Sequence, residues 1–457
     1  MAEERNQQNQ RRETPDLHSR RERRAALQRQ RKAQQRRMIL GLVMAAIVLT
    51  AGIVGMVYLI GQPQSGESQT DTLHTPPEQT TAPTTEATEA PSRKQDPKTV
   101  IHIKAAGDLN VTNSVVESGL PASTYDYKRS FLDVASVLSD ADLTLMNFEG
   151  NICGEPYGTE RTSAPWELLA ALRNAGVDKL QVANSCTINN GLIGMQSTLQ
   201  AIRASGMEPL GAWSSQAEFE RSGGYTIVEI EGIRVALVAF TKGLGGMGMP
   251  SGNEDLVNLL YTDYASFYKE IDKNRINRIL NAVNAEKPDI PIALLHWGSE
   301  DNDVISSTQE SIITLMQKKG VDVILGTHPH RVQEIKYDPL TGSFVAYSLG
   351  DFFGDATQGG TYYSIILDLE ITKDRSTGVT KVTDYSYTPI YTVRGVECDG
   401  YQRVVRIHQA IDAYENNYVD KVTADCYARM KNALTRISDR LEGNYSGEKK
   451  TDTEEKS

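Results

Sequence analysis

Residues 321–330 read VDVILGTHPH, and the fold class turns on this stretch. A β-branched apolar run of strand length breaks at Gly326 and closes on His328 and His330. In open α/β sheets ligands bind outside the carboxyl ends of the strands, so two imidazoles there carry more weight than two histidines elsewhere. The pair brackets one residue, so on a continuing strand both rings would point to one face. Gly326 and Pro329 would let the turn approach a ligand closely.

The pattern around this stretch repeats it. Upstream, helical periodicity covers Ile305–Lys318, a strand IPIALLHWG covers 290–298, and a long helix is expected over Ala265–Glu286. Residues 225–240 read as two strands joined at Glu231-Gly232. Nearer the N-terminus, the strands IHIKAAGD (101–108), DLTLMNFEG (142–150) and DKLQVAN (178–184) alternate with helices over Arg129–Ser139, Pro165–Ala175 and Leu192–Ser205. Downstream come strands over 332–337, 343–353, 361–372 and 380–393, then a mostly helical stretch Arg403–Leu441. Strand–helix alternation predicts an α/β layered fold. The late run of strands implies an antiparallel part of the sheet or a second sheet packed on it.

The same strand ends collect the polar residues: Asp108, Asn147, Glu149, Asn184, His296, His328, His330 and Asp351. Singly, each has a plain reading. His296 would be a core histidine, Asp108 a turn or cap residue, Glu149 a surface acid and Asp351 a turn cap. Jointly they read as a site. Imidazole, carboxylate and amide oxygen together suit a first-row divalent metal, Mn, Fe or Zn, better than Ca, and a pair of such ions can clamp a phosphate.

The rest of the chain of 457 residues sorts by composition. Residues 1–37 form a basic arm, with eleven Arg and one Lys against five acids, which leaves about −18 of the total −11 on the remainder. No aromatic interleaves these arginines, so the arm reads as a topology signal and inner-leaflet contact, with no nucleic acid as partner. Residues 38–60 are 23 in a row without a charge. At 1.5 Å per residue they span roughly 34 Å, enough for a bilayer core. The flanking charge bias predicts a single-pass cell-membrane protein with its N-terminus in the cytoplasm and its main domain extracytoplasmic. The length of the basic region and the lack of a small-residue cleavage site favour an uncleaved signal-anchor. Residues 61–98, rich in Thr and Pro, read as a disordered stalk, 99–441 as the folded domain and 442–457 as a disordered tail. Four cysteines, Cys153, Cys186, Cys398 and Cys426, imply no dense disulfide framework, and their pairing cannot be read from spacing.

The blocks AAGDLN (105–110), LMNFEGNI (145–152), LQVANS (180–185), LLHWGSED (294–301), ILGTHPHRVQ (324–333) and VAYSLGDFF (345–353) resemble, in order, the motifs of the CapA (poly-γ-glutamate capsule synthesis) family. That family is similar to calcineurin-like metallophosphoesterases. The resemblance implies two sheets packed as a sandwich and flanked by helices, here on an N-terminal transmembrane helix. It carries Asp108, Glu149, Asn184, His296, His328 and His330 over as metal ligands, with Asn147 a candidate catalytic group and Asp351 a further site residue. It implies a surface polymer such as poly-γ-glutamate and capsule synthase or export subunits as partners. Two positions depart from the pattern. The family's Ala-Asn-Asn-His reads Ala183-Asn184-Ser185-Cys186, so a cysteine stands where a histidine would act as general acid. Asn110 stands where metallophosphoesterases have a histidine two residues after the first aspartate. Three functions remain open on this reading: a metal-dependent hydrolase acting on a phosphate ester or an amide-linked polymer, a non-catalytic scaffold that binds polymer or synthase, and a surface receptor or adhesin that uses the domain as a rigid platform.

Overall fold

The computed structural model describes residues 97–120, 124–357, 359–419 and 421–442. The basic arm, the apolar run 38–60, nearly all of the stalk and nearly all of the tail lie outside the described residues. Among those described, no helix is long and apolar enough to cross a membrane.

Two sheets make up the domain. The first contains β1 (Lys98–Asn110), β2 (Leu143–Glu149), β3 (Lys179–Gln181), β4 (Glu208–Leu210), β11 (Asp351–Phe353), β12 (Tyr363–Asp374), β13 (Thr380–Val393) and β14 (Arg403–Arg406). Its order is β14-β13-β12-β1-β2-β3-β4, with β11 also paired to β1. The second has β5 (Thr226–Ile230), β6 (Ile233–Thr241), β7 (Ile290–His296), β8 (Val323–Thr327), β9 (Ile335–Asp338) and β10 (Ser343–Ala346), in the order β5-β6-β7-β8-β10-β9. Strands β1–β4 run parallel, as do β6, β7, β8 and β10, while β12–β14 add an antiparallel wing.

Side-chain alternation builds three apolar layers. Ile101, Ile103 and Ala105 of β1 and Leu143 and Leu145 of β2 meet Val235, Leu237, Ile292, Leu294, Val323 and Leu325 of the second sheet in a core between the sheets. The opposite face of the first sheet, with Ala106, Met146 and Phe148, packs on helices Lys128–Leu138, Glu167–Ala175 and Gly191–Ala204. The far face of the second, with Val238, Phe240, Ala293, Leu295 and Ile324, packs on helices Lys273–Ala285 and Ser307–Gln317. The expected two-sheet, helix-flanked α/β arrangement is therefore present. Strands buried on both faces explain why these stretches read as continuous apolar runs.

Several local expectations need correction. Residues 343–353 do not form one strand. Ser343–Ala346 belongs to the second sheet and Asp351–Phe353 to the first, and the chain crosses between them at Tyr347–Gly350. The helix expected from Ala265 begins only at Lys273. Asp272 caps it by accepting from Arg275 N–H, and before it the Asp263 carboxylate accepts the N–H groups of Lys269 and Glu270, which gives that segment a closed loop instead of a helical turn. Arg403–Arg406 is a strand paired to β13, followed by helices Ile407–Glu415 and Ala424–Leu441. Gly326 lies inside β8, and its bareness serves packing: a Cβ there would stand 2.0 Å from Tyr347 O and 2.6 Å from Trp297 Nε1.

The crossing segment is held where β1 changes partner. Lys98–Ala106 pairs antiparallel with β12, and from Asp108 onward β1 pairs parallel with β11. At the switch Asp108 N–H donates to Gly350 O at 2.9 Å. A Cβ on Gly107 would sit 1.8 Å from that same oxygen. Backbone cannot yield as a flexible side chain does, so Gly107→Ala should lower unfolding stability by about 1–3 kcal/mol or more. Gly248→Ala, with nothing near its Cβ, should stay within about 0.5 kcal/mol. Urea unfolding in a chelator checks both, and equal midpoints would refute the crowding argument.

Candidate metal centre

Register places the first half of the site. Across the first sheet, Asp108 of β1 pairs with Asn147 of β2 on one side and Asp351 of β11 on the other, while Asn110 pairs with Glu149. The second sheet contributes His296 at the end of β7, paired with Thr327 at the end of β8, and the His328-Pro329-His330 turn that follows. His328 and His330 are therefore not on a strand, and the same-face expectation fails. Both have left-handed backbone, φ +96° and +56°, a conformation that costs a non-glycine residue about 1–3 kcal/mol. The turn is held by His328 N–H, which donates to Asp108 Oδ2 at 3.1 Å, and by Pro329 O, which accepts from Asp301 N–H at 3.1 Å.

The side chains converge. Asn147 Nδ2 donates to Asp108 Oδ1 at 2.6 Å and lies 3.4 Å from Glu149 Oε1. Glu149 Oε1 is 3.0 Å from His296 Nε2. His330 Nδ1 is 2.8 Å from Asp351 Oδ1 and 3.7 Å from Asp108 Oδ2. Three overlapping groups, Glu149–His328–His330, Asp108–His330–Asp351 and Asp108–Glu149–His296, have their ligand atoms within 4.8 Å of one another. Asn184, expected as a ligand, stands behind this cluster. Its amide donates to Asn147 Oδ1 at 3.1 Å and Phe148 O at 2.7 Å, and its carbonyl oxygen accepts from Cys186 N–H at 3.0 Å. So it braces Asn147. Cys186 is half-buried. Burial first and the Glu149 charge second push its thiol far above the ordinary range, which makes it a poor proton donor.

Whether these residues suit a cation is tested by their unmet needs. His296 Nε2 lies close to Glu149 but outside hydrogen-bonding alignment, and His328 Nδ1 has no hydrogen-bond partner; both atoms are buried. Buried polar atoms rarely go unsatisfied. Asp108, Glu149 and Asp351 are all buried, and among the described residues no Lys or Arg ion pair reaches them. Burial raises the Asp108 carboxyl to about 6, helped by the Asp351 charge and opposed by His330. Burial raises Glu149 well above the ordinary range and Asp351 above it, with His330 again opposing. Burial drives His296 and His328 well below theirs, so both imidazoles are neutral. His330 goes the other way: burial works against its charge, but the Asp351 charge and hydrogen bond, with Glu149 and Asp108, outweigh it. Neutral imidazoles beside under-compensated carboxylates fit a divalent cation.

Lys242 was missed by the sequence reading. It directly follows β6, donates from Nζ to Gly298 O at 2.7 Å, and its charge bears on both His296 and His328. The signal was available, since it too is a polar residue at a strand's carboxyl end.

A model of the family described as bacterial capsule synthesis protein PGA_cap matches residues 102–356. The capsule biosynthesis protein CapA of Bacillus anthracis is 25% identical over 283 residues, 60% of this chain and 65% of that protein. The PGA biosynthesis protein CapA of Bacillus subtilis is 25% identical over 217 residues, 48% of this chain and 53% of that protein. The chain thus spans less than two thirds of the length of either relative. Among solved structures, a calcineurin-like phosphoesterase from Bacillus subtilis is a distant likeness, with 16% identity, TM-score 0.37, and coverage of 64% of this chain and 90% of that one.

Metal content and affinity test the cluster directly. His328→Ala should remove metal while leaving the unfolding midpoint in chelator unchanged. Asn147→Ala, which frees Asp108 from its amide partner, should weaken binding about 10–100-fold. Protons compete for the same carboxylates; Asp108, raised to about 6, fills below that, and Glu149 and Asp351 are raised too, so uptake should be stronger at pH 7.5 than at pH 5. Metal content that ignores both the substitutions and pH would rule the cluster out.

Proposed function

This chain belongs to the bacterial capsule synthesis protein family, and on that premise we propose that it is a membrane-anchored, extracytoplasmic component of surface-polymer synthesis or export, with poly-γ-glutamate as the leading polymer class and a divalent metal site as its working centre. The observation that carries the metal part is the pair of buried imidazole nitrogens without a hydrogen bond, His296 Nε2 and His328 Nδ1, set among three buried carboxylates. The observation that supports anchoring is the uncharged 23-residue run behind a basic arm.

In this reading Asp108, Glu149, His296, His328 and His330 hold the metal. A bound divalent ion supplies Lewis acidity toward a phosphoryl or carbonyl oxygen. The chain's own residues set the geometry. Asn147 fixes Asp108 and Asn184 fixes Asn147. Asp351 holds His330, and Lys242 places a cation beside the cluster, suited to an anionic group on the substrate. Proton delivery to a leaving group is the weak link, because Cys186 keeps its proton. That observation favours a second reading, a non-catalytic subunit that binds polymer or a synthase partner through the same site.

Complementation separates the two. In a host strain deleted for this protein, the wild-type chain should restore cell-surface polymer. A Glu149→Gln, His328→Ala double variant, present in the membrane at wild-type level, should not restore it if the metal centre does the work. Full restoration by that variant would leave only the scaffold. No change in polymer on deletion would end the surface-polymer proposal altogether.

A further inference from the structure

We propose that Asp351 is itself a metal ligand, closing with Asp108 and His330 an oxygen-rich position that ties the two sheets together. This rests on the metal reading above and assigns Asp351 more than the task of orienting a histidine.

The geometry of His330 carries the argument. A carboxylate that only orients a metal-bound imidazole hydrogen-bonds the ring nitrogen facing away from the metal. Here the nitrogen beside Asp351 is not turned away from the cluster. Nδ1 is 2.8 Å from Asp351 Oδ1 and 3.7 Å from Asp108 Oδ2, so a single nitrogen faces the gap between two carboxylates. The ligand atoms of all three lie within 4.8 Å of one another. Their backbones are equally constrained, since Asp108 and Asp351 are register partners on adjacent parallel strands. Asn110 Nδ2 lies 3.4 Å from His330 Nδ1, at the edge of this group.

A second, independent observation points to a ligand. His328, 4% exposed, has Nδ1 without a partner, and its ring centroid is 5.9 Å from that of His330. Three carboxylates, each at most 5% exposed, share this volume. A divalent ion between Asp108, Asp351 and His330 would take one donor atom from each of the three. Two carboxylates and one imidazole make a harder donor set than the imidazole-rich side at His296 and His328, so manganese is the ion of choice here.

The position also bridges the fold. Asp108 and Asp351 belong to the first sheet, and His330 to the turn leaving β8 of the second. An ion bound there fastens the crossing segment Tyr347–Gly350 from its far end.

The test uses the full-length chain in detergent, titrated with Mn2+ to saturation, with bound metal counted by elemental analysis and thermal unfolding followed in parallel. Asp351→Ala should hold one Mn2+ equivalent fewer than wild type and lose most of the manganese-induced rise in Tm. Asp355→Ala, an exposed carboxylate bonded to Ser114, should match wild type. Should Asp351→Ala fold poorly, Asp351→Asn keeps the shape and should still bind Mn2+ at least tenfold more weakly. A full metal complement in Asp351→Ala with only lower affinity would overturn the proposal and leave Asp351 an orienting group. Wild type that takes up no Mn2+ would instead sink the metal reading on which this stands.

Discussion

Where β1 exchanges one neighbour for another, two backbones come closer than any side chain permits. Asp108 N–H meets Gly350 O, and Gly107 has no Cβ because that oxygen fills its space. This contact brings the crossing segment in against β1. The crossing is further stitched to the second sheet by Leu349 N–H on Gly326 O and by Trp297 Nε1–H on Tyr347 O at 2.9 Å. Without it Asp351 would not stand in register beside Asp108, and the carboxyl ends of the two sheets would not share one polar volume. Packing between the sheets and chemistry at their edge are thus set by the same few bonds.

The site is expensive in ways the rest of the domain is not. Three buried carboxylates, two neutral buried histidines and two left-handed histidine backbones sit within one turn and four strand ends. Each burial of charge without a partner costs several kcal/mol in principle. The three apolar layers supply the stability against which this is set. Such concentration of cost marks a functional place, since a core filled by aliphatic side chains would be more stable and would need no His-Pro-His turn.

Much of this was legible from residue pattern, and the limits of legibility have causes. The α/β class follows from β-branched runs alternating with helical periodicity, and every polar strand end singled out, Asn184 included, lies in or against the cluster. Periodicity cannot show a chain changing sheets in mid-run, because both halves of 343–353 are equally apolar and equally buried. It cannot show that Gly326 yields space to Tyr347 and not to a ligand, since that neighbour is 21 residues away. The helix drawn through Ala265 failed where a side-chain carboxylate, Asp263, satisfied backbone donors locally. Lys242 is not a ligand type, so a pattern of metal-binding residues does not pick it out.

The acidic balance of the chain bears on what such a site could handle. With about −13 on residues 99–441, the domain would repel a polyanion at short range, although salt screens this beyond about 8 Å. A bound cation would offset that repulsion locally. On the proposed function, capture of an anionic polymer and occupancy by metal would therefore be coupled by electrostatics alone. That coupling makes the metal centre compatible with both the hydrolytic and the binding role.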